Sequence, residues 1–241
     1  MIDRPVGTTS GSVFVVSRLY LITQSVRAGL ADRGLPVHAL PHPGDAVGWA
    51  LSDAVDPADV VLLLDDLESR EDVRRTRSMM AECPAHWLVL TAMPAGPTWG
   101  ELLESGAAAV MSSSSTLLEV DGAVTALRAG ADQMEPEVRD RVMAEWSVVR
   151  DEQRVLLNRM QRLSPRERTV LRMLYGGDRV PSIAVRLGVT EATVRSQVKS
   201  MLRKLGVNSQ LSAVAALHQL MAFDSQWDAA PRLPVQRGRS A

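Results

Sequence analysis

The feature that most constrains this chain is an alternation. Between residues 13 and 130, short apolar runs recur with amphipathic stretches between them. The runs are VFVV and LYLIT within 13–23, PVHAL at 36–40, DVVLLLD at 59–65, HWLVLT at 86–91 and AAAVM at 107–111. The stretches between and after them, QSVRAGLADRG, GDAVGWALSDA, LESREDVRRTRSMMAEC, PTWGELLESG and TLLEVDGAVTALRAG, carry helical spacing. Continuous apolar runs suit strands buried on both faces, which a parallel sheet covered by helices provides.

Five such βα units in about 120 residues have the size of a flavodoxin-like domain, a doubly wound parallel sheet, here expected over 12–131. No glycine-rich phosphate loop follows the first strand. Gly44 and Gly48 follow PHP and lack the Gly-Lys-Ser/Thr ending, which excludes a P-loop.

Composition excludes other classes. At 46% hydrophobic and 23% charged residues, the chain is not mostly disordered. No stretch reaches about 18 uncharged apolar residues, so no membrane span is expected. The opening MIDRPVGTTSGS lacks a basic region followed by an apolar core, so no signal peptide is expected. The single cysteine, Cys83, can form neither an internal disulfide nor a cysteine metal cage, and a cytoplasmic location fits. Neither a metal nor a cofactor is expected.

The net charge of −1 hides an asymmetry. Residues 161–241 hold 13 basic against 5 acidic side chains, whereas residues 1–160 hold 14 against 23. An acidic and a basic half suggest modules with different partners, the basic one facing either nucleic acid or simply solvent. Lys199 and Lys204 are the only lysines.

Residues 132–161 read as a charged linker helix. Val142, Val149, Leu156 and Leu163 recur every seven residues, with Trp146, Gln153 and Met160 four places after the first three. The seam suits either dimerisation or packing on a neighbouring domain. Residues 162–222 read as an all-α domain of four short helices. Ser164, Pro165 and Glu167 open the first, whose core face is Val170, Leu171 and Leu174 before Gly176-Gly177. The second runs from about Pro181 to Leu187, with Ile183, Ala184 and Leu187 inward and Gly188 as its stop. Thr190 caps the third, and the fourth, from about Ser209, turns Val214, Leu217, Leu220 and Met221 inward. Residues 223–241, with Pro231, Pro234 and three arginines, are expected to be a disordered tail.

The third helix carries the chemistry. Val194, Val198, Met201, Leu202 and Leu205 form one buried stripe, while Arg195, Lys199 and Arg203 share another face with Thr193, Ser196 and Gln197 nearby. In a major groove, Arg and Lys donate to guanine O6 and N7, and Gln can pair with adenine. The preceding short helix, Leu187-Gly188-Val189 and the Thr cap supply the turn of a helix-turn-helix.

The stretch LSPRERTVLRMLYGGDRVPSIAVRLGVTEATVRSQVKSMLRKLGVNSQLSAVAAL closely resembles the LuxR/NarL-type helix-turn-helix domain, over about residues 162–220. The L-S/T-P-R-E opening, the I-A-x-x-L-G-V turn, the T-V recognition helix and the K-L-G-V exit stand in order. The resemblance implies double-stranded DNA as partner, with Arg195, Ser196 and Lys199 reading bases and Thr190, Thr193, Arg203 and Lys204 touching phosphates. It implies a homodimer contact on the fourth helix at Ser212, Val214 and Leu217. Two departures stand out. Pro181-Ser182 replaces a commonly charged pair, and Gln197 stands where His or Tyr is frequent.

The first half resembles a response-regulator receiver domain in its βα count, the DVVLLLDD and LVLTA strands and the ESGAAAVM segment. That resemblance implies an acidic pair after the first strand for a divalent cation, an aspartate after the third, Thr/Ser after the fourth and lysine after the fifth. Asp65 or Asp66 marks the phosphoacceptor region, and Thr91 matches the sensing position. The acidic pair and the lysine are missing. No Asp or Glu lies between Asp3 and Asp32, with Leu21, Ile22, Thr23 and Gln24 expected near the strand end, and Ser112–Ser115 occupy the lysine region. Cation and lysine neutralise charge on a transferring phosphoryl group, so their loss should raise the barrier. The expectation is an atypical, degenerate receiver.

Its input remains open between constitutive dimerisation, a small ligand near the strand ends and a protein partner. Ser112–Ser115 read as a polar turn, His38 and His42 as loop residues rather than a metal site, and Trp87 as core. The leading reading is a dimeric DNA-binding transcriptional regulator. The alternatives are a phosphorylation-dependent response regulator using Asp65 or Asp66, an acyl-homoserine-lactone-type sensor, against which the βα repetition speaks, and an α/β enzyme. For an enzyme there is no G-x-S-x-G elbow and no nucleotide fingerprint.

Overall fold

The computed structural model describes residues 11–42 and 55–223, and every structural statement below concerns those residues. The chain divides into two compact units, Met1–Val149 and Arg150–Ala241.

The first unit is an α/β domain. Strands β1 (Val13–Ser17), β2 (Val37–Leu40), β3 (Val60–Leu64), β4 (His86–Thr91) and β5 (Ala107–Ser112) form one parallel sheet in the order β2-β1-β3-β4-β5. This is a doubly wound order, reversing direction between β1 and β3. Val13–Val16 and Val60–Leu63 are each at most 1% exposed, which is why their sequences run apolar without alternation. Helices α1 (Tyr20–Ala31), α2 (Arg70–Glu82), α3 (Pro97–Glu104) and α4 (Leu117–Arg128) complete the unit. Reciprocal caps open two of them: Ser69 with Asp72 on α2, and Thr116 with Glu119 on α4. The stretch GDAVGWALSDA, with Gly44 and Gly48, lies outside the described residues.

One expectation is corrected. LYLIT does not continue the first strand, because β1 ends at Ser17 and α1 begins at Tyr20. Leu, Tyr, Ile and Thr favour strands by propensity, but Leu19, Tyr20 and Leu21 are 59%, 73% and 79% exposed. The strand end therefore presents Ser17, Arg18 and Leu19, not Leu21–Gln24.

Helix α5 (Pro136–Gln161) carries the seven-residue seam as far as Met160, with Leu163 just beyond it, and the seam divides between the two units' own cores. In the first unit Val142 and Trp146 are buried, and the Trp146 indole donates to Glu104 Oε2 at 2.6 Å. Gly100 on α3 permits this packing, since a Cβ there would lie 2.5 Å from that of Trp146 and against the Val142 carbonyl. In the second unit Met160 and Leu163 are buried. Val149 and Leu156 are half-buried.

The second unit comprises the end of α5 with α6 (Pro165–Tyr175), α7 (Val180–Leu187), α8 (Glu191–Leu205) and α9 (Gln210–Phe223). Ser164 and Glu167 form the expected reciprocal cap, and Pro181 sits in the first turn of α7, where a missing N–H costs no helical bond. Gly188 and Gly206 end α7 and α8 with φ of 64° and 70°, a left-handed conformation that favours glycine. The core joins Val170, Leu171, Ile183, Val194, Met201 and Leu217. The expected disordered tail, from Asp224 on, lies outside the described residues.

Candidate functional site

Helix α8 separates two faces. Val194, Val198, Met201 and Leu205 are buried, while Thr193, Arg195, Ser196, Lys199 and Arg203 are exposed. The Thr190 hydroxyl accepts the Thr193 N–H at 3.2 Å, and the two hydroxyls lie 2.9 Å apart, so both threonines gather at the helix start. Arg195 Nη2 rests 2.6 Å from Glu191 Oε2, an exposed pair one turn apart that is worth only about 0.3–0.5 kcal/mol and is easily exchanged for a ligand. The exposed face is therefore a row of cationic and hydroxyl donors on a rigid helix.

Three residues behave differently from the rest of this group. Lys204 donates to Glu167 Oε2 at 2.6 Å. Burial opposes ionisation of Glu167, but Lys204 and hydrogen bonds from Ser164 and Ser200 outweigh it, lowering its pKa from 4.5 to about 2. Lys204 thus ties α8 to the start of α6. Gln197, three residues after Val194, turns towards the core, and its Oε1 is buried without a donor among the described residues. Leu217, one of the expected dimer residues, is 1% exposed and packs in the unit's own core. Ser212 is exposed and Val214 half-buried.

The carboxyl ends of the strands hold a second constellation. Asp65 follows β3, with its side chain only 6% exposed. Its Oδ1 accepts the N–H of Leu67 at 3.0 Å, and Leu67 reaches this position through a positive φ of 54°. Its Oδ2 lies 3.2 Å from Arg18 Nε and 3.3 Å from His42 Nε2. Arg18 also pairs with Asp72 through its Nη2. Burial raises the pKa of Asp65, but the His42 hydrogen bond, the Leu67 N–H and the Arg18 charge outweigh it and hold the carboxyl below its ordinary value. Asp72 is likewise lowered against burial, by Ser69 and Arg18.

Asp66 is exposed, and its backbone carbonyl accepts the hydroxyl of the fully buried Thr91 at 3.1 Å. Thr91 also accepts the Met93 N–H at 3.2 Å. Ser112 ends β5, and its hydroxyl meets that of Ser114 at 2.7 Å in a polar turn. Among the described residues, no group of three or more His, Cys, Asp and Glu side chains is placed to hold a metal ion. His38 stacks on Phe14 with ring centroids 5.3 Å apart, and Trp87 is buried.

Sequence reasoning missed Arg18 and His42 as partners of Asp65, and Asp72 as the second partner of Arg18. Arg18 was hidden because the first strand was read too long. Asp72 had a signal in the Ser69-x-x-Asp72 cap spacing, and His42 had none beyond its place after the second strand.

Comparison with known proteins agrees with the helical geometry. Residues 161–217 match the model for bacterial regulatory proteins of the luxR family, and the second unit is a LuxR-type helix-turn-helix domain. The nitrate/nitrite response regulator protein NarL of Escherichia coli K12 is 39% identical over 64 residues, 27% of this chain and 30% of that protein. The "Probable transcriptional regulatory protein NarL" of Mycobacterium tuberculosis is 31% identical over 142 residues, 56% of this chain and 59% of that protein. The matches thus span a third to three fifths of these relatives. Among solved structures, the RcsB response regulator of Salmonella typhimurium aligns with 88% of this chain and all of its own, at 19% identity and a TM-score of 0.40. The luxR-family match thus falls on the second unit, and the first unit is a five-stranded, doubly wound α/β domain. No helix among the described residues is long and apolar enough to cross a membrane.

Proposed function

We propose that this protein is a sequence-specific DNA-binding transcriptional regulator, without enzymatic activity, that works as a homodimer. The observation that carries the reading is the exposed row Arg195, Ser196, Lys199 on α8 of a LuxR-type domain. In this reading α8 enters the major groove, and these three side chains contact base edges. Thr190, Thr193 and Arg203 contact phosphates. Lys204 acts mainly by holding α8 against Glu167, with its charge adding to the phosphate field. The edge of α9 with the exposed Ser212 and the half-buried Val214 contributes to pairing. A two-fold dimer would read half-sites about one helical turn apart.

The α/β unit, in the same proposal, is not switched by conventional aspartyl phosphorylation. Asp65 already has a cation from its own chain in Arg18, both its oxygens are engaged, and the Thr91 hydroxyl is committed to backbone groups. Its input is a small ligand or a partner protein. A second reading, a phosphorylation-dependent regulator using Asp65 or Asp66, draws on the position of Asp65 after β3 and Thr91 at the end of β4.

Capture of genomic DNA fragments by the purified, unphosphorylated full-length protein tests the first proposal. The wild type is expected to enrich a discrete motif that an Arg195→Ala/Lys199→Ala variant loses. Enrichment of no motif by either protein would overturn it.

A further inference from the structure

Two cavities at the carboxyl ends of the strands meet at one side chain. The first, of about 320 Å³, is walled by Leu19, Ile22, Leu64 and Leu90, with Asp65 and Asp72 as its polar floor. The second, of about 280 Å³, is walled by Tyr20, Ala39, Leu40 and Pro41. Ser17 and Arg18 line both. The Arg18 side chain is therefore a partition, held in place by Asp65 and Asp72. Together the two spaces fall within the range of about 300–1,000 Å³ that accommodates small ligands.

The position points to binding as well. Arg18 and Asp65 immediately follow β1 and β3, the pair between which the strand order reverses. Open α/β sheets bind ligands in that crevice. Large apolar side chains more than half exposed stand at it, Leu19 on the first cavity and Tyr20 on the second. Inside, the charge is mostly negative. Asp65, Asp66, Glu68 and Asp72 line the first cavity, with Arg18 as the one cation among its described lining residues.

We infer that this crevice binds a small, largely apolar molecule bearing an amine, amidine or guanidine group, which replaces the Arg18 guanidinium against Asp65 and Asp72. The inference rests on the reading of the α/β unit as a sensor that is not phosphorylated. Asp65 and Asp72 are both held in the charged form, so an anionic ligand would meet repulsion. Arg18 is 44% exposed, so its guanidinium can turn out to solvent as the ligand's cation takes its place against the two carboxylates. The apolar walls provide affinity, and the carboxylates provide orientation and choice of charge.

The probe for the test is 4-aminobenzamidine, a fluorescent aromatic amidine, titrated into the full chain with benzoate as the anionic control. Saturable binding to the wild type is expected. It should be at least about threefold tighter in Arg18→Ala, which removes the competing cation. It should be lost or weakened by about tenfold in Asp65→Asn/Asp72→Asn. Thermal unfolding reports whether each variant folds. Ile22→Lys, at a 40% exposed position on the pocket wall, gives a second route to the same loss without touching the carboxylates. No saturable binding to folded Arg18→Ala would overturn the inference, as would undiminished binding to folded Asn or Lys variants, or displacement by benzoate. Phosphate incorporation is measured separately, so failure of the ligand and failure of the phosphorylation-independent reading remain distinguishable.

Discussion

Arg18 Nε lies 3.2 Å from Asp65 Oδ2, so the aspartate at the end of the third strand carries a cation built into the chain. This pairing, with the His42 contact and the Leu67 N–H, leaves Asp65 charged, hydrogen-bonded and 6% exposed. A carboxylate so engaged is a poor nucleophile, and no lysine stands before residue 199 to balance an added phosphoryl group. Incubation of the full-length protein with a small-molecule phosphodonor and magnesium is therefore expected to leave it unmodified by intact-mass measurement. Stoichiometric acid-labile phosphate on Asp65 would contradict this.

Gly100 and Gly122 offer a matched pair. A methyl at Gly100 would press on the Val142 carbonyl and Trp146, where α5 crosses α3. Gly100→Ala should destabilise by about 1–3 kcal/mol, the usual cost of overpacking. Gly122, within α4, has nothing within 4 Å of its missing Cβ. Gly122→Ala should stabilise by about 0.5–1 kcal/mol through helix propensity. Denaturant unfolding of the full chain measures both, and equal effects in the two variants would refute the close approach of the helices.

Glu167 sets an acid limit. Its pKa falls from 4.5 to about 2 on folding, so the unfolded chain binds the proton more readily. The stabilisation is fully present above about pH 4.5 and is lost as pH falls towards 2, on the order of 2 kcal/mol after solvent screening. Glu167→Gln should remove most of this dependence over that window, as read by unfolding midpoints of both proteins from pH 6 to pH 2, about the range in which carboxylates titrate. Parallel midpoint curves would show that the Glu167–Lys204 tie contributes nothing.

Lys204 and Lys199 should separate by phenotype. Lys199→Ala is expected to weaken binding at a preferred site by about 1–3 kcal/mol and relax the preference at one base pair. Lys204→Ala is expected to lower stability through the stranded Glu167 carboxylate and to leave base preference unchanged. Binding-site selection with each variant, beside thermal unfolding, checks the distinction.

The sequence was most legible where local rules and tertiary packing agree. The Ser164–Glu167 cap, the stop at Gly188 and the stripe Val194–Val198–Met201–Leu205 each follow from spacing alone and stand in the structure. The apolar runs from Val60, His86 and Ala107 likewise became β3, β4 and β5. Legibility failed where apolar residues are not buried. Leu19–Ile22 read as strand because propensity says nothing about exposure, and that error concealed Arg18. Periodicity turns Leu217 inward, where it packs in the unit's own core, whereas its dimer contact came only from the resemblance. The Asp65 constellation joins residues from four chain segments, so no local pattern announces it.

The proposed activity is sequence-specific DNA binding through α8 that does not require aspartyl phosphorylation. Its most direct test is the affinity of the full-length protein for its enriched site, measured at fixed salt before and after treatment with a phosphodonor and magnesium, beside Arg195→Ala/Lys199→Ala. The account predicts the same affinity in both states and loss of preference over unrelated DNA in the variant. Binding that appears only after phosphodonor treatment, or a variant that retains full preference, would contradict it.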